Sequence, residues 1–493
     1  MKKVILLTSF IALLLSFLTK FLPFWAYALL FVLFVVFGVV FALSKNQKLF
    51  KLFFACLLIA LFCLKTLSCF SVIENIAKID GKNISFTAVV VESSAYYENE
   101  DYKYAVLKVE SSNSPLKKGQ KVGYNYYTNE LLEIGQKVSG EFKVTAVSNT
   151  QNKYSFYANG IYCFARPVSE LNVEQGNNFH YNALAKIQNF IKTTLRQNTK
   201  NSAVLISMLY GEKGYISDKL YEAVSMCGVS HVLVVSGLHF SLVFAIISFL
   251  CSLIGLKGVK KDIVLLFAAV FYVGLCGFSV SVLRVSLVFF LTFISRILKR
   301  IHTGLDTLIV ALVIVLLINP FSVFSISFQL SFEATFGLFV LYPELKNRIH
   351  LRFKNKTIKG LLNTAAASIS AFVFTLPTVI YYFSYIATYT VVVNLLIGFA
   401  IPFMLCGSVI ALLLCALGST VLSGVAFFIS DFFAEYFRGV VLKFSKLPFC
   451  VVNIKNKEWF IVLLLVLYLA VYELYTCKIR SSLVKYFKKE ESE

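Results

Sequence analysis

The sequence has few charged residues for its length. Asp, Glu, Lys and Arg make up 15% of its 493 residues, whereas hydrophobic residues make up 58%, and the mean hydropathy is +0.76. A typical soluble domain carries about 25% charged residues. The shortage of charge therefore excludes a soluble globular fold for most of the chain and indicates a protein that lies in lipid.

Patterns of metal ligands are also missing. The five histidines are scattered, at His180, His231, His239, His302 and His350. Most of the 11 cysteines lie in apolar runs without the paired spacing of zinc ligands, and only Cys163 lies well inside the main polar segment. We therefore expect no metal site, no cofactor and no disulfide within that segment.

Recognisable catalytic patterns are scarce as well. No Gly-rich loop ending in Lys-Ser/Thr is present to cradle a nucleotide phosphate, so a motor that drives transport is expected on another chain. Ser236 and His239 are three residues apart and could form a nucleophile and base, but no third orienting group accompanies them. We expect a channel or transporter and not an enzyme.

Long apolar runs dominate what is present. Each of the following runs is long enough to cross a hydrocarbon core of about 30 Å as a helix. They are 4–19, 23–43, 49–70, 229–255, 262–279, 281–297, 304–319, 324–343, 361–383, 389–417, 420–445 and 459–476. We predict a polytopic α-helical membrane protein with about ten to twelve transmembrane helices. The first run lacks a small-residue cleavage site, so we interpret it as an anchor and not as a signal peptide.

The formal net charge of +21 has a strongly uneven distribution. Lys and Arg crowd the short connections near 45–51, 257–261, 296–300 and 346–359, and the tail 478–493. Cytoplasmic loops carry such an excess under the positive-inside rule. We predict that residues 71–200 lie outside the cell and that both termini lie in the cytoplasm, given an even number of spans.

Residues 71–180 interrupt the apolar pattern and are predicted to form a small extracellular β domain. Alternating apolar and β-branched residues predict strands at 84–92, 102–110, 121–127 and 136–147. About five short strands suit a β-barrel of the OB type, and a small sandwich is the alternative. The remaining predicted parts are a three-helix anchor (1–70), amphipathic interfacial helices (181–225), a membrane domain (226–477) and a basic cytoplasmic tail (478–493).

Tyrosines and lysines alternate on the predicted strands of this domain. Bases of single-stranded nucleic acid commonly stack on such rings while ammonium groups contact the phosphates. The candidates are Tyr102, Tyr104, Tyr124, Tyr126, Lys103 and Lys121. Tyr is also a good strand former and is common beside membranes, so the two interpretations stay open.

Polar residues inside the apolar runs are the best candidates for function, because a charge in mid-bilayer costs about 2.5–3.5 kcal/mol and usually faces protein or water. They are His231, Ser236, Gly237 and His239; Arg284; Gln329 and Glu333; and Asn394. Arg284 is expected to pair with Glu333, to lie near a headgroup or to contact phosphates. Gln329 and Glu333 are four residues apart and should share a helix face.

These segments resemble the ComEC-type competence proteins. Gly228, His231 and Ser236–His239 match the Gly-x-x-His-x-x-x-x-Ser-Gly-Leu-His signature of that family. The stretch Gly277–Arg284 is similar to its Gly-x-Ser-x-Ser-x-x-Arg element. Asn319-Pro320, Phe328–Ser331, Leu376-Pro377 and Asn394 match later elements. The resemblance covers about residues 70–445.

The resemblance implies a channel that passes one strand of transforming DNA into the cytoplasm. It makes the polar residues of the membrane runs candidates for lining or supporting the DNA path. The implied partners are single-stranded DNA, membrane lipid, a cytoplasmic ATP-driven helicase or translocase and an extracellular DNA receptor, and a homo-oligomer is an open option. Many family members carry a metallo-β-lactamase-like domain that is not recognisable here, so a separate nuclease is expected.

Two alternatives from other classes stay open. A membrane enzyme would need paired carboxylates or a metal cluster near the membrane surface, and the sequence presents neither. A transporter of another solute often has two similar halves, and no such repeat is visible.

Overall fold

The computed structural model describes residues 2–43, 47–95, 102–113, 115–127, 132–168, 171–176, 179–277, 280–297 and 304–454, with positions 456, 458, 460, 462–464 and 466. The predicted last span, 459–476, is therefore described only at isolated positions. The predicted tail, 478–493, lies outside the described residues.

Helices make up most of the described chain. Their bounds are α1 (Lys2–Leu18), α2 (Phe24–Leu43), α3 (Gln47–Ala77), α4 (Lys153–Ala158), α5 (Phe179–Asn198), α6 (Ser202–Tyr210), α7 (Asp218–Met226), α8 (Gly237–Leu253), α9 (Gly258–Leu275), α10 (Val280–Ile297), α11 (Gly304–Ile318), α12 (Ile326–Arg352), α13 (Lys356–Phe383), α14 (Thr390–Gly398), α15 (Ala400–Ala416) and α16 (Thr420–Phe444). Turns of 3₁₀ helix cover Val147–Asn149, Ser230–Leu233 and Pro320–Phe324.

The predicted spans up to residue 445 are mostly helical, although 229–255 begins with a 3₁₀ turn and 389–417 is divided into α14 and α15. Two described helices are long and apolar enough to cross a membrane, Ala55–Ala77 and Lys356–Phe383. The adjacent apolar helices α14 and α15 together form a third candidate, and several other apolar helices are shorter. These features are those of a membrane protein. The number of crossings and the side on which each loop lies stay predictions.

The N-terminal region contains a six-stranded sheet. Its strands are β1 (Asn83–Ala95), β2 (Tyr102–Ser112), β3 (Lys121–Tyr127), β4 (Gln136–Ala146), β5 (Ile161–Pro167) and β6 (Asn172–Gln175). The four strands predicted from alternation are all present within a few residues of their predicted ends. A separate antiparallel pair joins β7 (Tyr385–Ala387) to β8 (Val451–Asn453).

Five of the six strands close into a barrel. The order is β1-β2-β3-β5-β4, and β1 also pairs with β4, while β6 extends β4. Neighbours are antiparallel except β3 and β5, which run parallel. Register irregularities in β1 after Thr87 and Val90 are of the kind that bends a strand and increases its twist. The closed five-stranded barrel favours the OB-type prediction over a sandwich.

The chain divides into two compact units along lines that the sequence did not predict. One contains Met1–Glu222, Ser230–Phe328 and Gly398–Val440, and the second contains Ala223–Val229, Gln329–Ile397 and Val441–Glu493. The predicted membrane domain 226–477 is therefore shared between both units. Segments distant in sequence pack together, and a linear pattern does not reveal this.

The predicted interfacial segment 181–225 also differs from expectation. Residues 204–210 of α6 are all buried, and α6 packs against α5 and α15. A helix that is apolar all round belongs in a core and not at a surface. The interfacial prediction is thus wrong for α6, whereas α5 has exposed polar residues along one side, including Lys186 and Arg196.

Candidate functional site

The predicted span 229–255 does not form one continuous helix. A 3₁₀ turn at Ser230–Leu233 precedes α8, which begins at Gly237. His231 is exposed in the turn, whereas His239 is 1% exposed on α8. A break of this kind is tolerated at membrane depth where backbone is buried in protein or lines a cavity.

Ser236 and His239 form the N-terminal cap of α8. Ser236 has extended backbone angles, and its Oγ accepts a hydrogen bond from the His239 backbone N–H at 3.4 Å. The Ser236 backbone N–H in turn donates to His239 Nδ1 at 3.4 Å. This reciprocal arrangement is a capping box in which His takes the place usually held by Glu or Gln. The spacing that resembled a nucleophile and base therefore has a structural explanation.

The cap also determines how His239 is oriented. Because Nδ1 accepts a hydrogen bond, the ring proton lies on Nε2, which is left as a donor. The Ser-Gly-Leu-His sequence thus starts a helix and fixes one imidazole tautomer.

The helix that carries Arg284 packs beside this cap. Arg284 is partly buried on α10, and α10 packs against α8. A β-carbon added to Gly237 would be 3.6 Å from Cγ2 of Val285, the residue that follows Arg284. The structure therefore brings two predicted elements together, the Ser236–His239 segment and the Arg284 stretch.

The barrel reaches the start of the same stretch. Glu92 on β1 forms an ion pair with Lys121 on β3 at 3.0 Å. The Glu92 side chain lies against Gly277, where an added β-carbon would be 3.3 Å from Glu92 Cγ. Lys121, a predicted DNA contact, is thus positioned beside the segment that leads into Arg284.

Two of the predicted stacking tyrosines face the interior of the barrel. Tyr124 and Tyr126 are 3% and 4% exposed, and their rings stack with 5.1 Å between the ring centroids. Tyr124 also makes an edge contact with Phe142, and burial raises its pKa to about 12. A base cannot reach these rings while the barrel is closed, so the stacking prediction is wrong for both. Alternation along β3 identified a shared face but not which face was inside.

The remaining barrel candidates have different outcomes. Tyr104 is partly exposed on β2, so it stays a candidate for stacking. Tyr102 and Lys103 lie on β2, and their side chains fall outside the described part of the structure. Lys121 is partly exposed but is already paired with Glu92.

Gln329 and Glu333 lie in the second unit and share a face of α12, as predicted. Glu333 Oε1 accepts a hydrogen bond from the Thr378 hydroxyl of α13 at 2.7 Å, and Gln329 Nε2 donates to the Tyr382 hydroxyl at 3.3 Å. The two donor–acceptor pairs are one turn apart on both helices. Glu333 Oε2 is buried and has no hydrogen-bond partner among the described residues. The pairing of Glu333 with Arg284 stays a prediction.

α12 and α13 approach each other closely at Gly337. A β-carbon on Gly337 would collide with the Ser370 carbonyl and the Phe374 ring. Small residues permit such approach between membrane helices. Sequence reasoning missed Thr378 and Tyr382, although Thr378 directly follows the Leu376-Pro377 element.

Asn394 is partly buried on α14, one turn after Thr390. The start of α14 contacts Gly228, the first residue of the signature that contains His231. Gly228 has φ +70°, and an added β-carbon would overlap Thr390 Oγ1 and Ala387. Glycine is thus required here by both the left-handed backbone and the contact.

Asn319 is a further residue that sequence reasoning did not select as a site. Its Nδ2 donates to the backbone carbonyls of Tyr157 and Ala158 at 2.8 and 3.0 Å, while its Oδ1 accepts from the Phe321 N–H at 3.0 Å. The first two bonds join α4 of the barrel region to the turn after α11. Asn319-Pro320 therefore fastens the barrel to the helices of its unit.

Aromatic contacts reinforce this junction. Tyr157 packs against Phe321 at 5.3 Å between ring centroids, and Tyr154 packs against Phe324 at 5.0 Å. Lys20, after α1, lies 4.7 Å from the Phe324 ring centroid. The position of the barrel is thus set by several independent contacts.

The profile of the family described as competence protein matches residues 208–478. The chain belongs to the competence protein family. All eight candidate residues of the apolar runs, from His231 to Asn394, fall within the matched part.

A relative of this competence protein is found in Bacillus subtilis (strain 168). It is ComE operon protein 3, with 27% identity over 254 residues, which is 50% of this chain and 31% of the relative. The match thus spans less than a third of the relative's length. No solved structure matches the chain.

Proposed function

We propose that this competence protein is a channel in the bacterial cytoplasmic membrane that passes single-stranded DNA into the cytoplasm during natural transformation. Family membership and the resemblance of the signature segments support this role. The observation that carries it is the convergence within one unit of three elements. These are the Ser236–His239 cap, the Arg284 stretch and the Glu92–Lys121 edge of the barrel.

The chemistry of the three elements suits a polyanion that crosses a membrane. Arg284 carries a permanent positive charge that can meet a phosphate. His239 is 1% exposed, so its part is to hold the start of α8 in place through the cap with Ser236. Lys121 is paired with Glu92 and can exchange that partner for a phosphate. Weak and replaceable contacts allow a strand to move, as in other conducting pathways.

The proposed topology has about ten to twelve membrane crossings, both termini in the cytoplasm and the barrel outside the cell. The barrel then meets DNA before the membrane helices do. In this scheme the chain is not an enzyme and holds no cofactor. A cytoplasmic ATP-driven helicase or translocase, an extracellular receptor and a separate nuclease act with it, and the channel forms within one chain or in a homo-oligomer.

Uptake of labelled duplex DNA into a DNase-resistant state tests the proposal. Cells with the wild-type gene, a deletion, Arg284→Ala and Arg284→Lys are compared at equal protein level in the membrane. Deletion should abolish uptake, and Arg284→Ala should lower it by roughly tenfold or more, equivalent to about 1.4 kcal/mol. Arg284→Lys should recover part of the loss because it keeps the charge.

Arg438→Ala provides a matched control. Arg438 lies on α16 of the same unit and pairs with Glu435 at 3.2 Å on an exposed face, so its loss should leave uptake unchanged. Normal uptake after deletion would refute the channel and favour transport of another solute or an enzymatic role.

A further inference from the structure

A cationic cluster lies beside the candidate site without being part of it. We define the Tyr215 cluster as Lys192 and Arg196 of α5 with Glu212, Lys213, Tyr215 and Tyr221 of the following segment. None of these residues is among the predicted site residues.

The cations of this cluster are arranged around tyrosine rings. Lys192 Nζ lies 5.1 Å and Arg196 Cζ 4.8 Å from the centroid of the same ring, Tyr215. Lys213 Nζ lies 5.8 Å from the Tyr221 centroid. A ring face holds a cation in place electrostatically without neutralising its charge. Three positive groups are therefore held in defined positions.

Few negative groups balance them. Within the cluster, Glu212 supplies the carboxylate, and it interacts electrostatically with Lys192. Within the described part of the chain, Lys192, Arg196 and Lys213 make no ion pair shorter than 4 Å. Burial lowers the pKa of Lys213 and raises that of Glu212. The charged form of each group is therefore less stable here than in water. An anion placed among the three cations would stabilise the charged form of Lys213.

The loop of the cluster is held by several contacts within the protein. Glu212 Oε1 accepts a hydrogen bond from the Gly214 N–H at 3.2 Å and closes a tight turn. Ile216 is buried at 2% exposure. The Tyr272 hydroxyl of α9 donates to the Leu209 carbonyl at 2.7 Å and anchors the end of α6. Preorganised donors bind an anion without paying for loop ordering.

The loop adjoins the candidate DNA path. A β-carbon on Gly211 would be 3.8 Å from Val235 Cγ2, and Val235 directly precedes the Ser236 cap. The 3₁₀ turn that contains His231 also packs against α6. Arg196 is exposed and Lys192 and Lys213 are half-buried, so a ligand at the cluster can reach the charges from solvent.

We propose that the Tyr215 cluster binds the phosphate backbone of single-stranded DNA and delivers the strand to the Ser236–His239 segment. The inference rests on the proposed channel function and names a contact that the strand makes before it enters the channel. Lys192 and Arg196 are one helical turn apart, about 6 Å along α5, and Lys213 extends the row from the loop. Several cations in a row suit a polymer of phosphates better than a single phosphate group. Adjacency to Ser236 favours DNA over a lipid headgroup.

The test measures binding of a labelled oligo(dT) to the full-length protein in nanodiscs of neutral phosphatidylcholine, over a series of salt concentrations. The variant Lys192→Gln/Arg196→Gln/Lys213→Gln should bind at least about tenfold more weakly. The slope of log affinity against log salt should become shallower by about 2, because each phosphate contact on a single strand contributes about 0.7. Each single substitution should produce about one third of the slope change seen in the triple variant.

The control variant removes the same charge from exposed lysines of the barrel, at Lys117, Lys118 and Lys143. It should change the slope clearly less than the cluster variant does. Lys192→Arg/Lys213→Arg keeps the charge and should bind like the wild type. The single substitutions and this conservative variant guard against misfolding of the triple variant.

Equal slopes for the wild type and the cluster variant would overturn the inference. A second result would also overturn it: the cluster variant binds oligo(dT) as the wild type does but retains less anionic lipid when it is prepared in nanodiscs that contain both lipids. The cluster would then bind lipid headgroups. Wild-type protein that binds no oligo(dT) also overturns the inference. The channel proposal is judged separately by uptake in deletion cells, so a failed cluster and a failed channel give different results.

Discussion

The junction between barrel and helices offers the sharpest structural test. Asn319 makes two hydrogen bonds to α4 carbonyls through Nδ2 and caps the next turn through Oδ1. At about 1 kcal/mol net for each bond, Asn319→Ala should remove about 2 kcal/mol of docking and about 1 kcal/mol of capping. A loss of 2 kcal/mol corresponds to roughly 30-fold more frequent opening of the contact.

Asn319→Asp separates the two contributions. Its carboxylate still accepts the Phe321 N–H, but it has no donor for the Tyr157 and Ala158 carbonyls and repels them. We therefore expect Asn319→Asp to weaken docking at least as much as Asn319→Ala while keeping Phe321 protected. Alanine should weaken both.

Hydrogen exchange followed by mass spectrometry reads the two regions independently, through peptides that cover 153–160 and 319–325. Asn149→Ala is the matched control, since Asn149 bonds Asp80 within the barrel region at 2.8 Å and is not one of the residues that bond α4 to the turn after α11. Wild-type protection of 153–160 in Asn319→Asp would refute the docking role. Equal loss of Phe321 protection in both variants would refute the cap.

Three further outcomes follow from the described contacts. Ser236→Asn keeps an N-cap acceptor without a hydroxyl and should retain DNA uptake. Ser236→Ala removes the acceptor and should lower the free energy of unfolding by about 1 kcal/mol in thermal unfolding. Loss of uptake in a stable Ser236→Asn protein would instead indicate a nucleophilic serine. Gly228→Ala should destabilise more than Gly81→Ala, because both have positive φ but only Gly228 faces Thr390, and equal shifts in melting temperature would contradict this. Burial raises the pKa of Cys163 from 9.0 to about 12, so a maleimide should label it only after unfolding, and the thiol's contribution to stability should decline as pH rises through 9 toward 12.

The local periodicities predicted much of the architecture. Runs of apolar residues identified α1 to α3 and the later helices, and alternation identified β1 to β4 within a few residues. Both signals are local, because a helix or strand must present an apolar face at its own repeat. β5 and β6 were not placed individually; β6 has only four residues, and all of them are exposed.

The candidate site was predictable only in part. Charged residues in apolar runs, such as Arg284 and Glu333, can be recognised from a sequence alone, because a charged side chain in lipid costs free energy and is therefore rare. The partners of such residues were not visible. Thr378 is an ordinary residue of α13 until the packing of α12 places it against Glu333.

The sequence by itself determined the class of the protein, its helical and β segments and the family signature that contains Ser236 and His239. Only the tertiary structure decided which faces turn inward, as for Tyr124 and Tyr126, and that Ser236 caps a helix instead of lying within one. It also decided that Asn319 holds the barrel. The physical reason is that burial and hydrogen-bond partners depend on segments far apart in the chain, and residue spacing carries no information about such contacts.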